Sequence, residues 1–477
     1  MAKKKKRIFL TGAGGKMGGA ALKELLRPER KANHELVLLD LPTADNIKRL
    51  KPYADTPGLE IVWGDLTNYE DVLKCVSGAD VVLHGAALIS PAADHNPALA
   101  WKVNVGSVEN IVRAIQAQPD PDAVRLVTVG TVAATGDRLP PIHVGRTGDP
   151  LKPSIFDMYA CTKIAAERIV AESGLRHWVS LRQTFITSPD VQIGPIMFHQ
   201  PLNTCFEICT AYNAGLVFAN AAEDDIPVEF WRRFYNIGGG PNSRTTYLTF
   251  LKRSLALSGI QDITTVFDRN WFALQNFHCQ WYEDSHILND YLHHQVEGLE
   301  DALRHTANAM SWREKLGAKL SPPSLMKTRY FEPMAKNYID SPLYWIEHDD
   351  EARINAFYGS RAAFENIPAW GIDMPAEPTG AHYKRLDHGY NEEKPSAAFD
   401  LTDMQGAAAF RGGKCLAKQM ETGDLYTPLQ WQCAVDHVFA ATPNLILKGG
   451  HWCPECLAPD WNDAQEAQRN PFFAQVC

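Results

Sequence analysis

The alternation of short apolar runs with helix-like stretches over the first 190 residues most strongly constrains the fold. The apolar runs lie at residues 7–11, 35–40, 59–63, 79–84 and 125–129. They are separated by stretches long enough for crossover helices, such as 105–116. Near-continuous runs of β-branched residues and leucine are typical of strands that are covered on both faces. The pattern therefore predicts an α/β fold with a doubly wound parallel sheet.

Beyond this region the pattern changes. Proline, aromatic residues and histidine become frequent among shorter helical stretches, and proline-rich segments near 320–326 and 367–378 indicate boundaries. We expect four parts: the sheet domain, a smaller substrate-capping lobe, an extension of unknown role and a compact module, at residues 1–190, 191–325, 326–400 and 401–477.

Charge and composition narrow the classes of function. The chain has 47 Lys and Arg against 56 Asp and Glu, a formal charge of -9, which argues against broad electrostatic binding to nucleic acid or anionic lipid. The basic run at residues 3–7 is followed by too short an apolar stretch for a signal peptide, and no run reaches membrane-spanning length. We therefore expect a cytoplasmic protein, with no nucleic-acid or membrane partner, whose ten cysteines stay reduced.

The turn after the first strand carries a dinucleotide-binding pattern. Residues 11–18 read Thr-Gly-Ala-Gly-Gly-Lys-Met-Gly, where backbone amides and the positive helix end can cradle a diphosphate. The Asp40 carboxylate ends the second strand, where it can accept both adenosine ribose hydroxyls, so NAD is favoured over NADP. An ordinary turn and a helix-capping Asp40 remain the alternatives. The candidate cofactor residues here are Gly12, Gly15, Lys16, Met17, Gly18 and Asp40.

Three further short motifs follow in order. They are Gly-Asp-Leu-Thr at 64–67, His-Gly-Ala-Ala at 84–87 and Asn-Val-Gly-Ser at 104–107. With the glycine turn, they resemble the extended short-chain dehydrogenase/reductase superfamily, which contains NAD-dependent sugar epimerases and dehydratases, over about residues 7–250. The resemblance implies a Rossmann domain that binds NAD at residues 1–190. It also implies cofactor contacts at or near Asp65, Leu66, Ala86 and Ala87, and it places Asn104 with this cofactor-binding set as a structural helix residue near the active site.

Tyr159 and Lys163 are the candidate proton-transfer pair. They stand four apart in a stretch with helical character, which puts both side chains on one face. A phenol has a reference pKa of about 10, but an adjacent ammonium and an oxidised nicotinamide favour the phenolate, so Tyr159 can exchange a proton while hydride moves. The alternative is two exposed residues of an amphipathic helix. Tyr390 and Lys394 have the same spacing but precede Pro395, which disfavours a helix there.

The residues around this pair narrow the chemistry. The superfamily places a Ser or Thr at the end of the preceding strand, and Thr131 aligns with it, although it could bond only backbone. Superfamily dehydratases carry an acidic residue next, where this chain has Val132 and Ala133, so dehydration is disfavoured. Nucleotide-sugar epimerases usually carry Asn three residues after the Arg that corresponds to Arg182, where this chain has Phe185. A substrate without a diphosphate is therefore favoured.

Four cysteines distinguish the last segment. Cys415, Cys433, Cys453 and Cys456 resemble the ligands of a small zinc-binding module of the treble-clef or zinc-ribbon kind. His437 could replace one cysteine, but a lone histidine between apolar residues is more typical of a core side chain. Unconnected thiols and a redox-active Cys453–Cys456 pair remain alternatives. Residues 401–477 hold five Lys or Arg against eight Asp or Glu, which argues against nucleic-acid binding.

These observations predict an NAD-dependent oxidoreductase acting on a secondary alcohol or ketone, with sugars and sugar derivatives among the candidates. In this hypothesis Tyr159 transfers the proton, Lys163 fixes the nicotinamide ribose and Thr131 orients the substrate oxygen. One alternative is an NAD-dependent sugar epimerase, and an alternative of another class is a zinc-bearing NAD-sensing or docking protein. The resemblance also implies a homodimer as one assembly, in addition to a small-molecule substrate.

Overall fold

A parallel sheet of seven strands organises the computed structural model, which describes residues 5–189, 194–313, 321–456 and 461–477. The strands are β1 (Lys6–Thr11), β2 (His34–Asp40), β3 (Leu59–Trp63), β4 (Val81–His84), β5 (Arg125–Thr131), β6 (Trp178–Gln183) and β7 (Arg233–Ile237). Their order is β3-β2-β1-β4-β5-β6-β7, and every neighbouring pair is parallel. The predicted doubly wound sheet is therefore confirmed.

Helices cover both faces of this sheet, which explains why its strands read as continuous apolar runs. The helices are α1 (Lys16–Leu25), α2 (Tyr69–Val76), α3 (Gly106–Gln116), α4 (Met158–Ala171) and α5 (Ala211–Ala221). On β1, Ile8 and Leu10 pack with α1 and α5, whereas Phe9 packs with α2, α3 and α4 on the opposite face. This alternation is the side-chain period of two that a β-strand imposes.

Segments after residue 190 complete the sheet domain and form a neighbouring lobe. Both β7 and α5 belong to the sheet domain, although they come from the part of the chain that was expected to form a capping lobe. The expected domain boundary at residue 190 stays a prediction. The lobe has an aromatic core that includes Phe198, Phe267 and Trp271. Short strands that form two-stranded sheets occur in the lobe and in the segments before it. They are Val144–Gly145, Ile186–Thr187, Cys205–Glu207, Cys209–Thr210, Arg244–Thr246 and Trp281–Tyr282.

Short helices make up most of the remaining regular structure. In the first half of the chain they are Pro28–Lys31, Ala44–Leu50, Ala92–His95 and Pro97–Ala100. In the lobe and extension they are Tyr247–Leu257, Ser285–Leu292, Leu299–Ala309, Pro323–Met326, Glu332–Lys336, Pro342–Glu347, Glu351–Tyr358 and Arg361–Glu365. The helix Ser285–Leu292 ends at His293, which adopts a left-handed φ of +46°.

The C-terminal segment forms a small antiparallel sheet with four helices. Its strands are β8 (Lys414–Cys415), β9 (Leu429–Gln432) and β10 (Val438–Ala441). The helices are Leu401–Phe410, Pro443–Leu447, Asp463–Arg469 and Pro471–Ala474. Trp431 on β9 is fully buried, in an apolar core continuous with the α4 side of the large sheet. Within the described ranges, no helix is both long enough and apolar enough to span a membrane.

Candidate active site and metal cluster

The glycine turn between β1 and α1 has the shape of an anion cradle. Gly12 has a φ of +74°, and a Cβ there would lie 2.8 Å from the backbone nitrogen of Ala86. A Cβ on Gly18 would lie 2.1 Å from the Gly12 carbonyl oxygen. Among the described residues no side chain caps the start of α1 at Gly15, and the first turn of the helix carries no acidic residue. The first backbone N–H groups of α1 can therefore face a diphosphate.

Asp40 lies beside this turn at the end of β2. Its carboxylate accepts a hydrogen bond from the Gly14 backbone N–H at 3.3 Å and one from the Asn46 side chain at 3.5 Å. Burial raises the pKa of Asp40 to about 6, against hydrogen bonds from the Gly14 and Ala13 backbone that lower it. The Arg49 guanidinium donates to the Gly14 carbonyl at 2.9 Å, so the helix Ala44–Leu50 is hydrogen-bonded to the turn. The carboxylate therefore stands where an adenosine ribose could reach it.

The other expected cofactor residues lie along the same edge of the sheet. Ala86 donates its backbone N–H to the Thr11 hydroxyl at 3.2 Å, so the loop after β4 packs directly on the end of β1. The Asp65 carboxylate accepts the Thr67 backbone N–H at 2.8 Å. The remaining members of the expected set are an exposed Lys16, a buried Met17 and the half-buried Leu66 and Ala87.

Asn104 links the loop after β4 to α4. Its amide donates to the Leu88 carbonyl and to the Thr162 hydroxyl, both at 2.9 Å, and its oxygen accepts the Leu88 backbone N–H at 2.7 Å. All of its hydrogen bonds in the structure are therefore to protein groups. This arrangement fits the structural role that the resemblance implies for this residue.

Two of the three predicted catalytic residues, Thr131 and Tyr159, are neighbours at the carboxyl end of β5. The Thr131 hydroxyl accepts the Ala133 backbone N–H at 3.1 Å, and the same side chain lowers the pKa of Tyr159, at the start of α4. Lys163 follows one helical turn later and is buried. Burial raises the pKa of Tyr159 to about 12 and lowers that of Lys163 to about 8. The phenol pKa therefore moves opposite to the lowering that the sequence predicts from a neighbouring ammonium and an oxidised nicotinamide.

Two carboxylates that were not predicted fix the start of α4. Asp157 caps the helix by accepting the Ala160 backbone N–H at 2.8 Å. Asp94, in the short helix Ala92–His95 after β4, accepts the backbone N–H groups of Met158 at 2.9 Å and Tyr159 at 3.3 Å. Negative charge at a helix N-terminus is favourable, and these contacts hold the backbone of Tyr159 in place. Burial and the neighbouring Asp157 raise the pKa of Asp94 to about 6.

The metal cluster contains His437 in place of Cys415. The ligand atoms of Cys433, His437, Cys453 and Cys456 all lie within 4.8 Å of one another. The Sγ atoms of Cys433 and Cys456 are 3.7 Å apart, close to the edge of a tetrahedron with Zn–S bonds of about 2.3 Å. Cys415 pairs with Trp431 between β8 and β9 and lies outside this cluster. The expectation of Cys415 as a ligand and His437 as a core residue therefore needs correction.

His437 contacts two of the three thiols. Its Nδ1 lies 3.5 Å from the Cys453 Sγ and 3.6 Å from the Cys456 Sγ. A hydrogen bond from the Cys456 thiol, with others, lowers the pKa of Cys453 to about 5, so this sulfur has thiolate character. Three sulfurs and one imidazole nitrogen are a donor set that fits Zn²⁺.

Residues 8–190 match the NAD dependent epimerase/dehydratase family model. The resemblance stated from the motifs is therefore confirmed over this epimerase-family region, residues 8–190. The match to the family model ends at residue 190 and does not include the extension or the Cys/His cluster.

Two curated relatives align with part of this region. A mouse protein, 3 beta-hydroxysteroid dehydrogenase type 7, is 28% identical over 170 residues, 35% of this chain and 44% of its own length. An uncharacterized epimerase/dehydratase of Staphylococcus aureus is 30% identical over 168 residues, 34% of this chain and 46% of its own length. The chain thus spans less than half the length of these relatives.

One solved structure shares the fold more widely. It is a dTDP-glucose 4,6-dehydratase from Bacillus anthracis in complex with NAD, with a TM-score of 0.50 and 16% identity. The match covers 65% of this chain and 97% of that one. The likeness therefore extends from the sheet domain into the lobe, as a likeness of fold.

Proposed function

We propose that this chain is an NAD-dependent oxidoreductase that interconverts a secondary alcohol and a ketone. The observation that carries the proposal is the placement of Tyr159 beside the Thr131 side chain, with Lys163 one turn further along α4. These groups stand at the carboxyl edge of the sheet, the edge on which the glycine turn also lies. Gly12, Gly15, Lys16, Met17, Gly18, Asp40, Asp65, Leu66, Ala86 and Ala87 are the proposed NAD-binding residues along this edge, and Asn104 supports them.

Each member of the trio has a separate task. The bound NAD supplies a hydride acceptor or donor. The Lys163 ammonium, at a pKa of about 8, can donate to ribose hydroxyls. Tyr159 exchanges the proton of the substrate oxygen, and Thr131 orients that oxygen through its hydroxyl. At a pKa of about 12 Tyr159 is protonated at neutral pH and so carries the proton that it would donate, but it is a weak acid, and a positive charge close to it is needed to lower this pKa and make the phenolate accessible.

The surroundings of the trio favour a substrate without a nucleotide diphosphate. Phe185 packs against Phe206 and Phe250, with ring centroids 5.5 and 6.0 Å away, where an amide that contacts a diphosphate would be expected. Val132 and Ala133 follow Thr131 as buried apolar residues, so they supply no acid for dehydration. A ketone or secondary alcohol, with sugars and sugar derivatives among the candidates, fits these features.

An NAD-dependent sugar epimerase is the second candidate, favoured by the family model that matches residues 8–190. An epimerase oxidises and reduces the same molecule, so it forms an isomer without net NADH. The purified chain should be screened with NAD and a panel of secondary alcohols, sugars and sugar acids, monitoring both NADH absorbance and isomer formation. Net NADH supports the dehydrogenase, an isomer without NADH supports the epimerase, and neither product from any compound argues against both.

A structural zinc ion belongs to the same proposal. Cys433, His437, Cys453 and Cys456 form a four-ligand set with no open position, which fits a structural rather than a catalytic ion. A homodimer, a cytoplasmic location and the absence of nucleic-acid and membrane partners stay predictions.

A further inference from the structure

The C-terminal segment contacts the same helix that carries Tyr159 and Lys163. Arg168, on α4, donates to the backbone carbonyls of Trp452 and Ala440, both at 3.0 Å. Glu172, directly after α4, accepts the Thr442 hydroxyl at 2.8 Å. These contacts lie toward the C-terminal end of α4 and hold β10 and its flanking turns against the helix.

A further contact between the C-terminal segment and α4 lies in the buried interior, one helical turn from Lys163. His451 Nε2 lies 2.8 Å from a carboxylate oxygen of Glu167, and both side chains are almost fully buried. Glu167 stands one helical turn after Lys163, and both line a cavity of about 10 Å³. The Glu167 carboxylate raises the pKa of Lys163, against burial, which lowers it. Glu167 therefore favours the charged form of Lys163 across the cavity that they share.

The carboxylate of Glu167 is held from two directions. On β6, Arg182 donates to it at 2.7 and 3.1 Å and the Ser180 hydroxyl donates at 2.7 Å. The same Arg182 guanidinium donates to the Gly449 carbonyl at 2.5 Å. Residues 449–451 thus add two hydrogen-bond partners to the buried Glu167–Arg182 ion pair, and such a pair is stable only where further hydrogen bonds satisfy its polar atoms.

The turn at residues 449–451 leads directly into the metal cluster. His451 is two residues before Cys453, a ligand of the proposed zinc site. A Cβ on Gly450 would lie 2.1 Å from the Asp149 carbonyl, and one on Gly449 would lie 3.0 Å from a ring carbon of Phe234, so the turn is seated tightly on the sheet domain. The metal ligands thus fix one end of a turn whose other end contacts the catalytic helix.

We propose that residues 449–453 act as a brace for α4, in which His451 positions Glu167 and thereby Lys163, and that zinc binding keeps the brace seated. His451 and Glu167 are then positioning residues, since neither is placed against NAD or substrate. The inference rests on the proposed function for the role of Lys163 in NAD binding. The mechanical part, that the C-terminal segment orders α4, stands on the contacts alone.

Three full-length variants test the brace. His451→Leu removes the contact to Glu167, and His451→Gln restores a donor of similar reach. Thr442→Val removes the hydroxyl contact to Glu172, about 13 Å along the helix from Lys163, together with the cap that the same hydroxyl gives to the helix Pro443–Leu447, and it keeps the backbone contact to Glu172. NAD affinity is measured by calorimetry, amide hydrogen exchange is followed along α4, and the zinc content of each variant is determined. Zinc removal from the wild-type chain with a chelator is the fourth arm.

The loss of a hydrogen bond to a charged group should raise the NAD dissociation constant of His451→Leu about tenfold, with faster exchange at residues 163–167 and zinc retained. His451→Gln should recover most of the affinity. Thr442→Val should bind NAD as the wild type does and exchange faster only near the end of α4. Zinc removal should reproduce the His451→Leu result, and it decides the question if that variant does not fold.

Two outcomes overturn the brace: wild-type NAD affinity and exchange in His451→Leu, or unchanged exchange along α4 after zinc removal. A wild-type chain that binds no NAD overturns the proposed function instead. In that case the exchange arms still determine whether the C-terminal segment orders α4.

Discussion

The glycine turn and the metal cluster differ in how they are built. The turn uses backbone groups from consecutive residues, 11–18, whose conformation depends mainly on the absence of side chains. The cluster uses four side chains that come from two chain segments around β10 and the helix Pro443–Leu447. A site made from consecutive residues can be deduced from its motif, whereas a site made from separated segments requires the fold. The predictions below test each half of this contrast.

The largest effect is expected at the metal cluster. Cys456→Ser removes a ligand, so the purified chain should lose its bound zinc and unfold at a lower temperature, because structural zinc binding contributes on the order of 10 kcal/mol to the folding of small modules. Cys415→Ser is the matched control, since Cys415 lies outside the cluster. Elemental analysis and thermal unfolding provide the readouts. Equal zinc loss in the two variants would restore Cys415 to the ligand set.

Tyr159→Phe tests the proposed proton transfer at the cofactor site. Removal of a general acid or base typically costs about 10²- to 10⁴-fold in rate, so kcat should fall by this factor for whichever substrate the screen identifies. The phenyl ring keeps the packing of the helix, and zinc content should not change. A variant that turns over at the wild-type rate would remove Tyr159 from the chemistry.

Asp40 gives the site a pH dependence of defined sign. Ribose hydroxyls donate to the ionised carboxylate, so NAD binding should weaken as the pH falls through about 6, and by about tenfold at a pH one unit lower. In the protein without NAD the sign is opposite. A carboxyl whose folded pKa exceeds its unfolded value favours the folded state in acid, and this contribution is lost as the pH rises from about 4 to about 6.

Calorimetric titration with NAD between pH 5 and 8 measures the first effect, with Asp40→Asn as the matched variant. The asparagine variant should bind NAD more weakly at neutral pH and lose most of the pH dependence. A pH profile that is the same in both proteins would show that Asp40 does not contact the ribose.

The smallest effect is expected at the second Tyr-x-x-x-Lys motif. Tyr390 lies in a loop and donates its hydroxyl to the Leu447 carbonyl at 3.1 Å, and Lys394 pairs with Asp403 at 2.5 Å. Tyr390→Phe should leave kcat unchanged and lower the free energy of unfolding by about 0.5–1.5 kcal/mol, the usual net contribution of one hydrogen bond. A large loss of activity here would undermine the assignment of the chemistry to the first motif.

The fold of the first half could be predicted because local signals agree with each other there. The five apolar runs correspond to β1–β5, and the glycine turn lies between a strand and a helix as its sequence indicates. The strand β7 is a less direct case, since it comes from the Phe-Tyr-Asn-Ile run at 234–237, some 50 residues after β6, and joins the sheet by parallel pairing that no local pattern encodes.

The site could be predicted only in part, because its supporting groups come from distant segments. Glu167 stands four residues after Lys163, so helical spacing could have indicated it, but Arg182 and His451 reach it from β6 and from the C-terminal segment. Asp94 contacts the start of α4 from 64 residues away. The apolar neighbours of His437 in the sequence indicate a core side chain, whereas in the fold its imidazole faces two thiols.

The structure of the full-length chain with NAD and zinc bound tests the central claim most directly. We expect the diphosphate against the first turn of α1, the adenosine ribose at Asp40, and the nicotinamide ring beside Tyr159 with its ribose on Lys163. A cofactor bound anywhere else on the molecule, or a nicotinamide out of reach of the Tyr159 hydroxyl, would contradict the proposed chemistry.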